Sequence, residues 1–146
     1  PANQTADIVI TMTAAVAEII CGADSWTGVL QSGSFGAVAK NNSNVGDPSV
    51  TVTTTGCAIA HDVVQGGDQN TGNETPAGTQ QWQTVNATSA SRGAAQSRTS
   101  QGTSTVLNWS GGKFNQWVQL GFGIKADPNV VEDTITQSTD WKINIS

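Results

Sequence analysis

Alternation with a period of two recurs along this chain, and it constrains the fold more than any other feature. Ile8, Ile10 and Met12 alternate with Val9, Thr11 and Thr13, and Val50 and Val52 alternate with Thr51 and Thr53. Val118, Leu120, Phe122 and Ile124 take every second place in the run that ends at Lys125, while Trp82 and Val106 sit in similar runs at Gln80–Asn86 and Thr103–Trp109. Successive side chains of a strand point to opposite faces, so Thr-rich, β-branched runs of this kind fit pleated, half-buried strands. Gly, Asn, Asp and Ser cluster between them, at 31–36, 40–48, 66–78 and 110–112, and these residues favour turns. The pattern predicts strands near 6–13, 16–25, 49–54, 57–64, 80–86, 103–109 and 117–125. Thr13–Ile20 hints at a helix through Ala14, Ala15 and Ala17, but the adjoining Ile19-Ile20-Cys21 favours a buried strand. The expected fold is an all-β antiparallel sandwich, jelly-roll or immunoglobulin-like, over residues 1–126. The alternating run Trp117–Lys125 reads as its closing core strand.

The tail reads differently. Asp127-Pro128-Asn129 interrupts the chain with a turn or linker signal. Beyond it Ile135, Trp141, Ile143 and Ile145 occupy odd positions, with Lys142, Asn144 and Ser146 between the last three. That spacing puts the apolar side chains on one face of an extended segment. A terminal strand of this kind needs a sheet edge and an apolar groove, in its own domain or in another copy of the chain. The expectation is a linker and donor strand over 127–146, with residues 134–146 extended in the groove of a neighbouring copy. The partner is then the protein itself.

The order Ser25-Trp26-Thr27-Gly28-Val29, Pro48 through Thr54, Gln80-Gln81-Trp82 and Trp117 through Lys125 resembles β-sandwich modules of phage virion proteins and exported bacterial surface proteins. The resemblance covers about residues 1–125. Such modules carry further strands ahead of the place where Pro1 stands, and they stop near Lys125. The resemblance therefore implies a sandwich short of a strand at its front with a spare one at its back, the arrangement that donor-strand complementation uses.

Charge narrows the possible partners. Only 12% of the 146 residues are charged, eleven acidic against six basic, for a formal net charge of −5. Nucleic acid needs clustered Lys and Arg, which are scattered here, so it is not an expected partner. No apolar run reaches the roughly 20 residues of a membrane helix. The neutral, hydroxyl-rich polar set fits an extracellular or cell-surface location. Cys21 and Cys57 fall in two strand-like runs and could form a disulfide if the protein is exported; two buried thiols are the alternative.

Chemistry finds little footing. His61 is the sole histidine, and the adjacent Asp62 would point to the opposite face of a strand, so the two cannot form an orienting pair. Ser32-Gly33-Ser34-Phe35-Gly36 lacks the first glycine of a nucleophile elbow and a following helix. Gly121-Phe122-Gly123-Ile124-Lys125-Ala126 spells the dinucleotide fingerprint, but inside a strand-like run, where small residues allow close packing beneath a side chain such as Trp109 or Trp141. Asp62, Asp68, Asn70, Asn73 and Glu74 crowd a Gly-rich stretch that could hold calcium, yet Gly72 falls where an EF-hand ligand belongs, and a polar hairpin loop explains the same residues. No catalytic residue, metal or cofactor is expected.

Trp26, Trp82, Trp109, Trp117 and Trp141, without any tyrosine, suit core or interface packing better than sugar stacking. Of six N-x-Ser/Thr sequons, those at Asn41 and Asn73 lie in expected loops and are the candidate glycan sites. The expected function is that of a structural subunit of an extracellular filament. A phage decoration or tail protein is the alternative, and a carbohydrate-binding module a further one.

Overall fold

In a computed structural model the chain is described over residues 7–14, 19–67, 74–86, 90–112, 114–129, 136–138 and 142–145, and these residues form strands and loops with no helix. Two antiparallel sheets pack together as a β-sandwich. The smaller runs β4 (Ser49–Thr53), β9 (Ser104–Ser110) and β6 (Thr75–Pro76). The larger runs β3 (Ala39–Ser43), β10 (Gln116–Ile124), β5 (Ile59–Gly67), β8 (Ser91–Thr99) and β7 (Thr79–Asn86). Outside both lie β1 (Asp7–Ile10), paired in parallel with β12 (Lys142–Ile145), and β2 (Ser25–Thr27), paired antiparallel with β11 (Thr136–Ser138).

Val50, Val52, Leu107 and Trp109 of the small sheet pack towards Ala60, Val64 and Ala94 of the large one, and all of them are buried. The turn from β4 to β5 closes with Cys57 N–H donating to Thr54 O at 2.9 Å, and Gly56 supplies its φ of +70°. Three departures from the sequence reading stand out. β3 occupies part of the expected turn 40–48, because Asn41 and Asn42 pair with β10 at Gln119 and Val118. β8 was not expected at all: Gly93, Ala94 and Ala95 carry no bulky apolar signal, yet this strand is flanked on both sides by β5 and β7. Of the strand expected at 16–25, residues 16–18 lie outside the described residues, 19–24 run without ladder pairing, and only Ser25 falls in a strand, the start of β2.

The closing strand is inverted relative to its hydrophobic pattern. On β10 the inward set is Trp117, Gln119, Gly121 and Gly123, whereas Val118 and Leu120 are 47% and 46% exposed. Gln119 is fully buried because its amide donates to the Asp62 carboxylate and to Leu107 O. The glycines leave room: a Cβ on Gly121 would lie 2.6 Å from Val52 Cγ2, and one on Gly123 would meet the Cys57 side chain. Those neighbours, rather than Trp109, line the glycine pair, and Trp141 lies outside the described residues. The outward set, Val118 and Leu120 with Val63 across from Leu120, forms an exposed apolar strip on the large sheet.

Candidate functional site

The outer face of the large sheet carries a groove of about 410 Å³. Alternation along β5 turns His61 outwards, and across β10 the facing residue is Phe122. Their rings lie 5.3 Å apart, Phe35 stands edge-on to Phe122 at 5.2 Å, and Trp26 stands edge-on to His61 at 5.7 Å. On the β8–β7 side Trp82 completes the wall. Residues 19–24 cross this face without ladder pairing, which the missing side chain of Gly93 permits: a Cβ there would sit 2.7 Å from Ile20 Cγ2. Ile10 of β1 lines the same groove, so both N-terminal strands border it.

A polar contact in the groove joins His61 to Asp24. His61 Nε2 lies 3.3 Å from Asp24 Oδ2, with the two side chains 4% and 9% exposed. The other ring nitrogen, Nδ1, is buried and has no hydrogen-bond partner among the described residues. The pair ties the segment leading into β2 to the rigid sheet beneath it. As expected, Asp62 takes no part. Asp24 was not singled out from the sequence, since nothing near it in the chain signals His61 as its partner.

Asp62 instead sits between the sheets. Its Oδ2 accepts from Gln119 Nε2 at 2.8 Å and Gln96 Nε2 at 3.0 Å, and its Oδ1 accepts from Trp109 Nε1 at 3.3 Å. Burial pushes this carboxyl up to about 6, against the opposing pull of the Gln119, Trp109 and Gln96 hydrogen bonds and of nearby His61. A second buried polar pair, Arg92 with Glu74 at 3.8 Å, lies in the same interior, and the guanidinium stands 5.5 Å over the Phe114 ring. Asp62 and Glu74 thus face the interior, and Asp68, Asn70 and Asn73 lie outside the described residues. Among the described residues no cluster of three His, Cys, Asp or Glu forms a metal site.

The disulfide expected between Cys21 and Cys57 is not formed, and both are free thiols. The sheet itself separates them. Cys57 packs against Gly123, on the inward side of β10, whereas Cys21 lines the groove with Phe122, whose side chain takes the opposite face. Asn41 is exposed but lies in strand β3 rather than a loop, and its amide donates to Ser49 O at 2.8 Å. Asn73 lies outside the described residues, as do Ile135 and Trp141. The tail expected in a neighbouring copy pairs with its own chain instead: β11 lies against β2, and Ile143 and Ile145 of β12 are in register with Ile8 and Ile10 of β1. Trp109 and Trp117 are core residues, and Trp26 and Trp82 border the groove.

The fold and groove define an all-β sandwich with an aromatic-walled outer face and tail strands laid beside it. Comparison of the chain with family models, curated proteins and solved structures finds no match.

Proposed function

We propose that this protein is a structural subunit of an extracellular filament, with the C-terminal strands of one copy completing the next. The observation that carries this reading is the placement of β11 and β12. Both lie outside the two sandwich sheets and pair with the N-terminal strands β2 and β1, in ladders of three and four residues. A two-stranded ladder is marginal by itself, and a parallel pair is less stable per residue than an antiparallel one. Ladders this short can exchange their tail strand with a neighbour at little cost. A head-to-tail contact of this kind does not close on itself and propagates as a fibre. The resemblance of residues 1–125 to sandwich modules of virion and surface proteins points to the same class of role.

Electron microscopy of the purified protein tests the reading. The full chain should form fibres of uniform width, and a chain lacking residues 127–146 should remain a folded monomer. Trp141→Ala should weaken assembly by about 3 kcal/mol, as other truncations of large anchoring aromatics do. Fibres from the truncated chain, or a full chain that stays monomeric at high concentration, would overturn it. A strictly monomeric chain that binds glycans would support a carbohydrate-binding module built on Trp26 and Trp82 instead.

A further inference from the structure

We infer that β1 and β2 are the receptor strands of this assembly, and that a neighbour's β12 and β11 dock on them in the same register seen within one chain. This rests on the filament reading and adds to it the identity of the acceptor.

Three observations converge on these strands. First, β1 and β2 belong to neither sandwich sheet, and each has as its ladder partner a strand from the tail. Removing the tail therefore leaves both main sheets intact and leaves β1 and β2 with unpaired edges, which recruit another strand. Second, the receptor strands are held to the sandwich independently of the tail. Asp24, next to β2, pairs with His61, Trp26 stands edge-on to the same ring, and Ile10 of β1 lines the groove over the large sheet. Third, the connection has enough residues to reach a second copy. Val29 bridges Ala126 and Thr27 pairs with Thr136, so two steps on one side correspond to ten on the other. Residues 127–135, if extended, span roughly 30 Å, enough to carry β11 and β12 from one sandwich to the matching strands of the next. An exchange that repeats identical pairings in a second copy gains no new contact and loses none, which is the condition under which swapping is cheap.

Cysteine pairs read out which copy supplies the strand. In a background where Cys21 and Cys57 are both replaced by Ala, two chains are prepared separately, one with Val9→Cys and one with Asn144→Cys, positions that face each other in the β1–β12 register. A second pair, Thr27→Cys and Thr136→Cys, probes β2–β11 in the same way and covers the case in which one variant does not fold. Mixed, assembled and oxidised, either pair should give a covalent heterodimer. A chain carrying both cysteines of a pair should give a ladder of covalent oligomers. Fibres that yield only an intramolecular crosslink in the double variant, with no ladder and no heterodimer, would overturn the receptor assignment and leave a filament whose copies join through another contact. An absence of fibres in the parent chain would overturn the filament reading, and the assignment with it.

Discussion

His61 and Asp62 are neighbours in β5 and serve opposite faces of one sheet. The imidazole closes on Asp24 beneath the outer groove, while the carboxylate gathers amide and indole donors between the sheets. A single step along the strand thus separates the side chain that anchors residues 19–24 from the one that organises the core. The two can be perturbed separately.

The Asp62 carboxyl makes stability depend on acidity in an unusual direction. In the unfolded chain it titrates near 3.8, and in the folded chain burial lifts it to about 6. Between those values the native state holds a proton that the unfolded state has released. Its contribution is therefore fully present below about pH 4, is lost as the pH rises towards 6, and stays lost above that. The change corresponds to roughly 3 kcal/mol. Urea denaturation from pH 4 to 7 should show this fall in the parent, and Asp62→Asn should flatten it. An unchanged slope in the variant would rule Asp62 out as its source.

Gly121→Ala should destabilise the sandwich by about 1–3 kcal/mol, the usual cost of overpacking a filled interior. The added methyl would sit 2.6 Å from Val52 Cγ2 and 3.0 Å from Val50 Cγ1, so β4 must shift to admit it. A urea midpoint equal to the parent's would show that the two sheets are less tightly apposed at β10 than this geometry requires.

Leu120→Gln should leave folding stability within about 0.5 kcal/mol, because the side chain is 46% exposed on the outer strip. An exposed apolar strip of this kind marks a contact surface. The same change should raise the concentration needed for fibre formation about tenfold, equivalent to about 1.4 kcal/mol. Light scattering across a dilution series measures it, and identical thresholds would remove the strip from the assembly contact.

Reductant should not alter the melting temperature. Cys21 and Cys57 are free and lie on opposite sides of the large sheet. Thiol titration of the denatured, unreduced chain should find both cysteines reactive; a titration finding none would mean that they pair after all.

The sandwich was legible in the sequence wherever alternation ran through β-branched residues, as in β4, β5 and β9. It was illegible in β8, where Gly93, Ala94 and Ala95 make a strand whose burial comes from the side chains packed around it. On β10 the alternation located the strand but misassigned its faces. Apolar patterning assumes that the inward set is apolar, and here Gln119 goes inwards because Asp62 is already there to accept from it. The Asp24–His61 contact had no local signature either, since it depends on how residues 19–24 cross the sheet. Periodicity reports the face that repeats; it does not report which face meets the other sheet.

The pairing of β1 with β12 also orders events in time. Asp7–Ile10 is synthesised before both sandwich sheets, and its in-chain partner Lys142–Ile145 only after them. Contacts so distant in sequence form late and slowly. On the strand-exchange proposal, β1 is open throughout that interval to the tail of a finished copy. Whether a molecule closed on itself or joined a neighbour would then be a race, decided by local concentration and by the rate at which β12 appears.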